Sequence, residues 1–155
     1  NVHNQLAEQD IFFPAKAAFV NPPMMGEVTK GMVPYLAKYA GQQLLTGSQA
    51  EAYADHFIAV HLQEMAGGKT YSQVSAEFMA MKPTDPNYQT VANLRSTMFQ
   101  GTTLRGLLLE AYAFGTMGQI ALVGAIVSFI GGAVMLLLTI LGWLHIRRTD
   151  DDATL

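Results

Sequence analysis

The chain has no cysteine. Disulfides, iron–sulfur clusters, thiolate copper sites and a cysteine nucleophile are thereby excluded. Charge is scarce, at 14% of residues, and no basic patch runs along the chain. The formal net charge is −3. Nucleic acid is not an expected partner of such a surface. Several catalytic signatures are also missing: no G-x-S-x-G elbow, no P-loop, and no G-x-G-x-x-G following a strand. The 155 residues suffice for one domain. The first residue is Asn, which suggests a preceding segment.

The most informative shortage is of charge near the C-terminus. None occurs between Glu110 and His145, a run of 34 residues. As a helix this run would be about 51 Å long at ~1.5 Å per residue. A bilayer core needs only about 20 residues, so part of the helix is expected to stand outside it. The span is placed at Ile120–Leu144. Thr116, Gly118 and Gln119 mark one exit. Trp143 fits the interfacial belt at the other, beside His145, Arg147 and Arg148. A long buried helix of a soluble protein is the alternative, but so long an uncharged run exceeds what globular cores use. The arginines put the tail Thr149–Leu155 in the cytoplasm, and Asp150, Asp151 and Asp152 weigh little in that rule. The preceding hundred residues are then extracytoplasmic. Arg105 on that side weakens the bias without reversing it.

Within the span, "GAIVSFIGGAV" carries three glycines and a serine. Gly124, Ser128 and Gly132 are four apart and share a helix face, with Ala121 and Ala125 as a neighbouring small row. In lipid, small residues let another helix approach closely, and van der Waals contact replaces the hydrophobic drive. These five residues are the expected helix-docking face. No ionisable residue lies between Ile120 and Leu144, which argues against ion translocation through this chain alone.

Before the span, "QAEAYADHFIAVHLQEMA" reads as a helix beginning at Ser48, with Ser48 and Glu51 as a capping box and Gly67 ending it. Thr70 and Gln73 predict a second box, opening "YSQVSAEFMAM". Asp85 with Pro86 predicts the start of a third helix, which continues into the span with a kink at Gly101. "PYLAKYAGQQLL" predicts a shorter helix with Pro34 at its first position, ending by Gly47. "IFFPAKAAFVNPPMMGEV", with three prolines, reads as an extended or irregular arm. The first ten residues read as polar helix. The expected fold class is mainly α: a small helical extracytoplasmic domain on a C-terminal transmembrane helix, with an N-terminal transmembrane helix missing before Asn1. The divisions are a short helix and arm over 1–33, a helical domain over 34–115, the transmembrane helix over 116–146 and a tail over 147–155.

Four histidines are scattered along the chain, at His3, His56, His61 and His145. His56 and His61 are five apart, about 140° around a helix, and do not converge on one ion. His61 and Glu64 share a face and could supply two metal ligands, with no third at a telling spacing. No catalytic residue, metal site or cofactor is expected.

Three runs carry a family resemblance: "VHNQLAEQDIFFPAK", "YAGQQLLTGSQAEAYADHFIAVHLQEMAGGKTY" and "NLRSTMFQGTTLRGLLLEAYAFGTMGQIALVGAIVSFIGGAVMLLLTILGWLHIRR". They resemble an actinobacterial family of small two-helix membrane proteins, often labelled aromatic ring-opening dioxygenase. That label would require clustered His and carboxylate ligands with open iron positions, which four scattered histidines do not offer. The runs are also similar to the prokaryotic respiratory supercomplex association factor. That similarity implies a redox-inert accessory subunit beside a cytochrome bcc–aa3 assembly, with membrane lipid and integral membrane subunits as partners. Two other functions fit the residues: a small periplasm-facing metalloenzyme using His61 and Glu64, and a standalone ligand-binding membrane protein. The latter would use an apolar surface of Met24, Met25, Met32, Met79 and Met81.

Overall fold

The computed structural model describes residues 1–24 and 26–148. Met25 and the tail with its three aspartates lie outside the described residues. Among those described, the chain is mainly helical and contains no strand. Contacts divide it into two units, Asn1–Thr116 and Met117–Leu155.

The first unit opens with α1, Val2–Glu8. The Asn1 side chain accepts from the Asn4 amide at 3.1 Å, which satisfies one orphan donor of the first turn. The proline-bearing arm follows, with one 3-10 turn at Lys16–Phe19. It is irregular, as its composition predicts, yet it is pinned. The Phe13 amide donates to the Gln42 carbonyl at 2.9 Å, and the Leu44 amide to that of Ile11 at 2.8 Å. Phe13, Val28 and Met32 thereby join the core.

The helix expected from Pro34 to Gly47 is much shorter. α2 covers Val33–Leu36 and tightens into a 3-10 turn at Ala37–Tyr39. Gly41, at φ 70°, then turns the chain back against the arm. α3 (Gly47–Tyr53), a π-helical segment (Ala54–Ile58) and α4 (Ala59–Met65) follow without a break. The start is one residue earlier than Ser48, and the cap is different. Thr46 Oγ1 accepts from the Gln49 amide at 3.3 Å, and Gln49 Oε1 accepts from the Thr46 amide at 3.0 Å. Two overlapping boxes compete for this start. Thr46–Gln49 wins because Gln49 is buried and also bonds the Leu45 amide and the Gln42 side chain. α4 ends as expected at Gly67 (φ 58°). The Gly68 amide reaches the Gln63 carbonyl at 2.8 Å, and the Gly67 amide that of Glu64 at 3.3 Å, a Schellman closure.

α5 spans Tyr71–Ala80 and carries the predicted Thr70–Gln73 box. α6 spans Tyr88–Arg148. Asp85 does not cap it: its carboxylate turns back to accept from the Lys82 amide at 2.7 Å. α6 is continuous through Gly101, and that glycine has a packing role. A Cβ there would stand 2.6 Å from Leu62 Cδ2, so Gly101 lets α4 approach α6. Gly47 serves the same purpose where α3 begins, because a Cβ there would lie 3.1 Å from Tyr112 Cα.

One hydrophobic core runs through this unit. Met32, Leu36, Leu44 and Val74 are fully enclosed, and Leu62, Met98 and Leu108 complete it from α4 and α6. Burying each such side chain stabilises the fold by about 1.5–3 kcal/mol. Met32 is therefore a core residue rather than part of an apolar ligand surface. Met24 and Met79 are exposed, at 76% and 77%.

The second unit holds the apolar part of α6. This helix is long and apolar enough to cross a membrane, and none of its most apolar stretch is buried. All of its described side chains are exposed.

Candidate functional site

In the second unit, all five expected docking residues, Ala121, Gly124, Ala125, Ser128 and Gly132, are exposed on α6. A Cβ added to Gly124 or Gly132 would meet no atom within 4 Å. Ala125, Ser128 and Gly132 come together in a shallow groove of about 430 Å³, walled by Phe129 and Leu136. Ala121 and Gly124 are not part of its lining. The groove exists because small side chains leave a trough between larger neighbours, which is the shape a second helix fills in lipid.

At the C-terminal end, the Arg147 guanidinium lies 3.9 Å above the Trp143 ring. This is cation–π geometry. His145, Arg147 and Arg148 fall in the last turn, where positive charge complements the helix dipole.

In the first unit, the His61–Glu64 pair gains no third ligand. Among the described residues, no three His, Cys, Asp or Glu side chains are grouped to hold a metal ion. His61 Nδ1 lies 2.7 Å from the Phe57 carbonyl oxygen, so that nitrogen is the donor. The ring tilts against Phe57 at 4.5 Å. His3 contacts Asn4 at the exposed first turn.

The sequence reading missed a polar cleft of about 420 Å³ between α2 and the α3–π segment. The His56 ring stacks on Tyr35, 3.5 Å apart and 5° from parallel. Asp55, one residue earlier, accepts from Arg105 Nη2 at 2.7 Å and from Nε at 3.2 Å. Both Asp55 and His56 lie in the π-helical segment. Such single-turn insertions recur at functional sites. Glu51 and Lys38 also line it, and Lys38 Nζ sits 4.8 Å over Tyr39. One sequence signal was available. Arg105 is the only charge in "TLRGLLL", so a carboxylate partner was to be expected.

Beside the cleft, an aromatic series runs from Tyr39 through Phe13 and Tyr53 to Phe57, with centroids 4.6–5.4 Å apart. Burial raises the Tyr53 phenol above its ordinary range, and the Glu27 carboxylate adds to the shift.

Compared with family models, curated proteins and solved structures, the chain matches none.

Proposed function

We propose that this chain is a non-catalytic accessory subunit of a large membrane complex, docking through its transmembrane helix and its outer domain. The carrying observation is the trough at Ala125, Ser128 and Gly132 on a helix apolar enough to span a membrane. A helix that met only lipid would gain nothing from small residues there, since lipid chains conform to any apolar surface. A second helix gains contact from them. The resemblance of the three sequence runs points to an actinobacterial respiratory cytochrome bcc–aa3 supercomplex as the assembly. The arginines at the C-terminal end support a cytoplasmic tail and an extracytoplasmic outer domain in the cell membrane.

The test is pull-down from solubilised membranes, with haem spectra of the bound material. The wild type is expected to bring down cytochromes. A Gly124→Leu/Gly132→Leu double variant should insert normally, because Leu suits lipid, yet lose the complex. Wild type without cytochromes sinks the respiratory assignment. Equal recovery by both proteins sinks the small-residue face as the docking surface.

A further inference from the structure

Within the first unit, the π segment and α4 face α6 across an open groove of about 270 Å³. Its lining is mostly apolar, with Phe57, Ile58 and Leu62 on one side and Leu104 of α6 on the other. Two lining side chains carry nitrogen or sulfur lone pairs: the imidazole of His61 and the thioether of Met65. Thr97 and Gln100 of α6 add neutral oxygens. Glu64, which the sequence pairs with His61, is not in the lining, and among the described residues the groove presents no carboxylate. The donors that meet here are therefore imidazole and thioether, not imidazole and carboxylate.

His61 and Met65 both lie in α4, four residues apart. At that spacing two side chains are neighbours on one helix face, with Cβ atoms about 5–6 Å apart. One ion can bridge an imidazole and a thioether across that separation. His61 is already oriented for it. Nδ1 donates to the Phe57 carbonyl at 2.7 Å, and the ring rests against Phe57. A metal-binding histidine characteristically commits its other ring N–H in this way, because the bond fixes the tautomer and raises the basicity of the ligating nitrogen. Nε2 is then the nitrogen that meets an ion. Met65 is 52% exposed, so its sulfur is not locked into the core.

The donor set selects the ion. Thioether sulfur with imidazole suits Cu(I), whereas Mg²⁺, Ca²⁺ and Mn²⁺ take oxygen donors. Zn²⁺ sites in proteins need at least three protein ligands from Cys, His, Asp or Glu. A singly charged ion is also less costly than a divalent one to place against an apolar lining. We propose that His61 Nε2 and Met65 Sδ hold one Cu(I) ion in the groove between α4 and α6. The ion is taken up already reduced, and no electron transfer belongs to the step. The site is separate from the trough at Ser128, and it stands whether or not the chain joins a respiratory complex.

The experiment titrates the purified full chain in micelles with Cu(I), without oxygen, against the chromophoric chelator bicinchoninate. Far-UV circular dichroism checks the fold of each variant. The wild type is expected to withdraw one equivalent, and X-ray absorption at the copper edge should show nitrogen and sulfur neighbours together. Met65→Leu, close to volume-conserving, should weaken binding at least about tenfold, since loss of a mere outer-shell partner typically costs roughly 10–100-fold. His61→Gln should do the same. Glu64→Gln and Met79→Leu should change nothing, because both residues lie outside the groove. No withdrawal of copper by the wild type, unchanged affinity in Met65→Leu, or an absorption spectrum without sulfur would each overturn the proposal. So would a loss in Glu64→Gln as large as that in His61→Gln, since the site would then be the imidazole–carboxylate pair. An equal loss in Met79→Leu would overturn it too, by showing only adventitious binding to surface methionines.

Discussion

Replacing Gly101 by Ala sets two opposing effects against each other, and the structure decides their balance. Alanine in a helix interior is favoured over glycine by about 0.8–1.0 kcal/mol. The added Cβ, however, would stand 2.6 Å from Leu62 Cδ2, 3.1 Å from Cδ1 and 3.2 Å from Cγ. Leu62 is largely buried, and it and Gly101 line an open groove of about 270 Å³, so the Leu62 side chain must shift towards that groove to relieve the clash. Overpacking of this kind costs about 1–3 kcal/mol. The net expectation is destabilisation of the outer unit by roughly 0–2 kcal/mol. Gly106 supplies the control, five residues along the same helix, with nothing within 4 Å of its would-be Cβ. Gly106→Ala should stabilise by up to about 1 kcal/mol. Urea titration of the full chain in micelles, read by pulse proteolysis of the outer unit, measures both. A third variant isolates the contact. Leu62→Ala should cost about 2–5 kcal/mol in the wild type, and about 1–3 kcal/mol less in the Gly101→Ala background, because the clash is gone. If Gly101→Ala and Gly106→Ala stabilise equally, or if the cycle shows no coupling, the close approach of α4 to α6 is not as described.

Thr46→Ala should cost about 1 kcal/mol through loss of the cap, whereas Ser48→Ala should stay within about 0.5 kcal/mol; equal losses in urea titration would restore Ser48 as the cap. Asp55→Ala removes the pair with Arg105, whose side chains are 36% and 40% exposed. The loss should be below about 1 kcal/mol and shrink at 1 M salt. Tyr53 bears on alkaline stability. Its folded pKa is raised, so its contribution is complete below the unfolded value of about 10 and fades as pH rises through the folded value. The alkaline loss should begin near pH 10 and be smaller in Tyr53→Phe; an unchanged profile would remove Tyr53 as its source. For topology, Ser72→Cys, at an exposed position on α5, should react with an impermeant thiol reagent in intact cells and Thr154→Cys should not. The reverse pattern would invert the orientation.

What was legible in the sequence had local causes. The apolar run from Ala111, the Thr70–Gln73 box and the Gly67 stop each depend on residues within a few positions, and the structure follows them. The start of α3 is ambiguous in the sequence because T-G-S-Q and S-Q-A-E overlap, and only tertiary burial of Gln49 separates them. The polar cleft was not legible. Tyr35 and His56 are 21 positions apart, and Asp55 and Arg105 are 50 apart. Neither pairing leaves a local pattern, and a single-turn π insertion leaves the hydrophobic period nearly unchanged.

The glycines of α6 show where a sequence pattern stops and a structure begins. Each one lowers intrinsic helix stability by about 0.8–1.0 kcal/mol relative to Ala. Gly101 is explained inside the chain, because Leu62 occupies the space a Cβ would take. Gly124 and Gly132 have the same local chemistry but no neighbour of their own chain within 4 Å. Open space alone does not distinguish them, since Gly106 is equally open and lies outside the uncharged run. The difference lies in register. Gly132 lines one trough together with Ala125 and Ser128, between Phe129 and Leu136, whereas the residues three and four beyond Gly106 are Leu109 and Glu110. A lone glycine only weakens its helix. Small residues in register weaken it and also shape a surface, and in lipid such a surface gains free energy only from close contact with another helix. The trough at Ser128 is the observation on which the proposal of a membrane subunit rests.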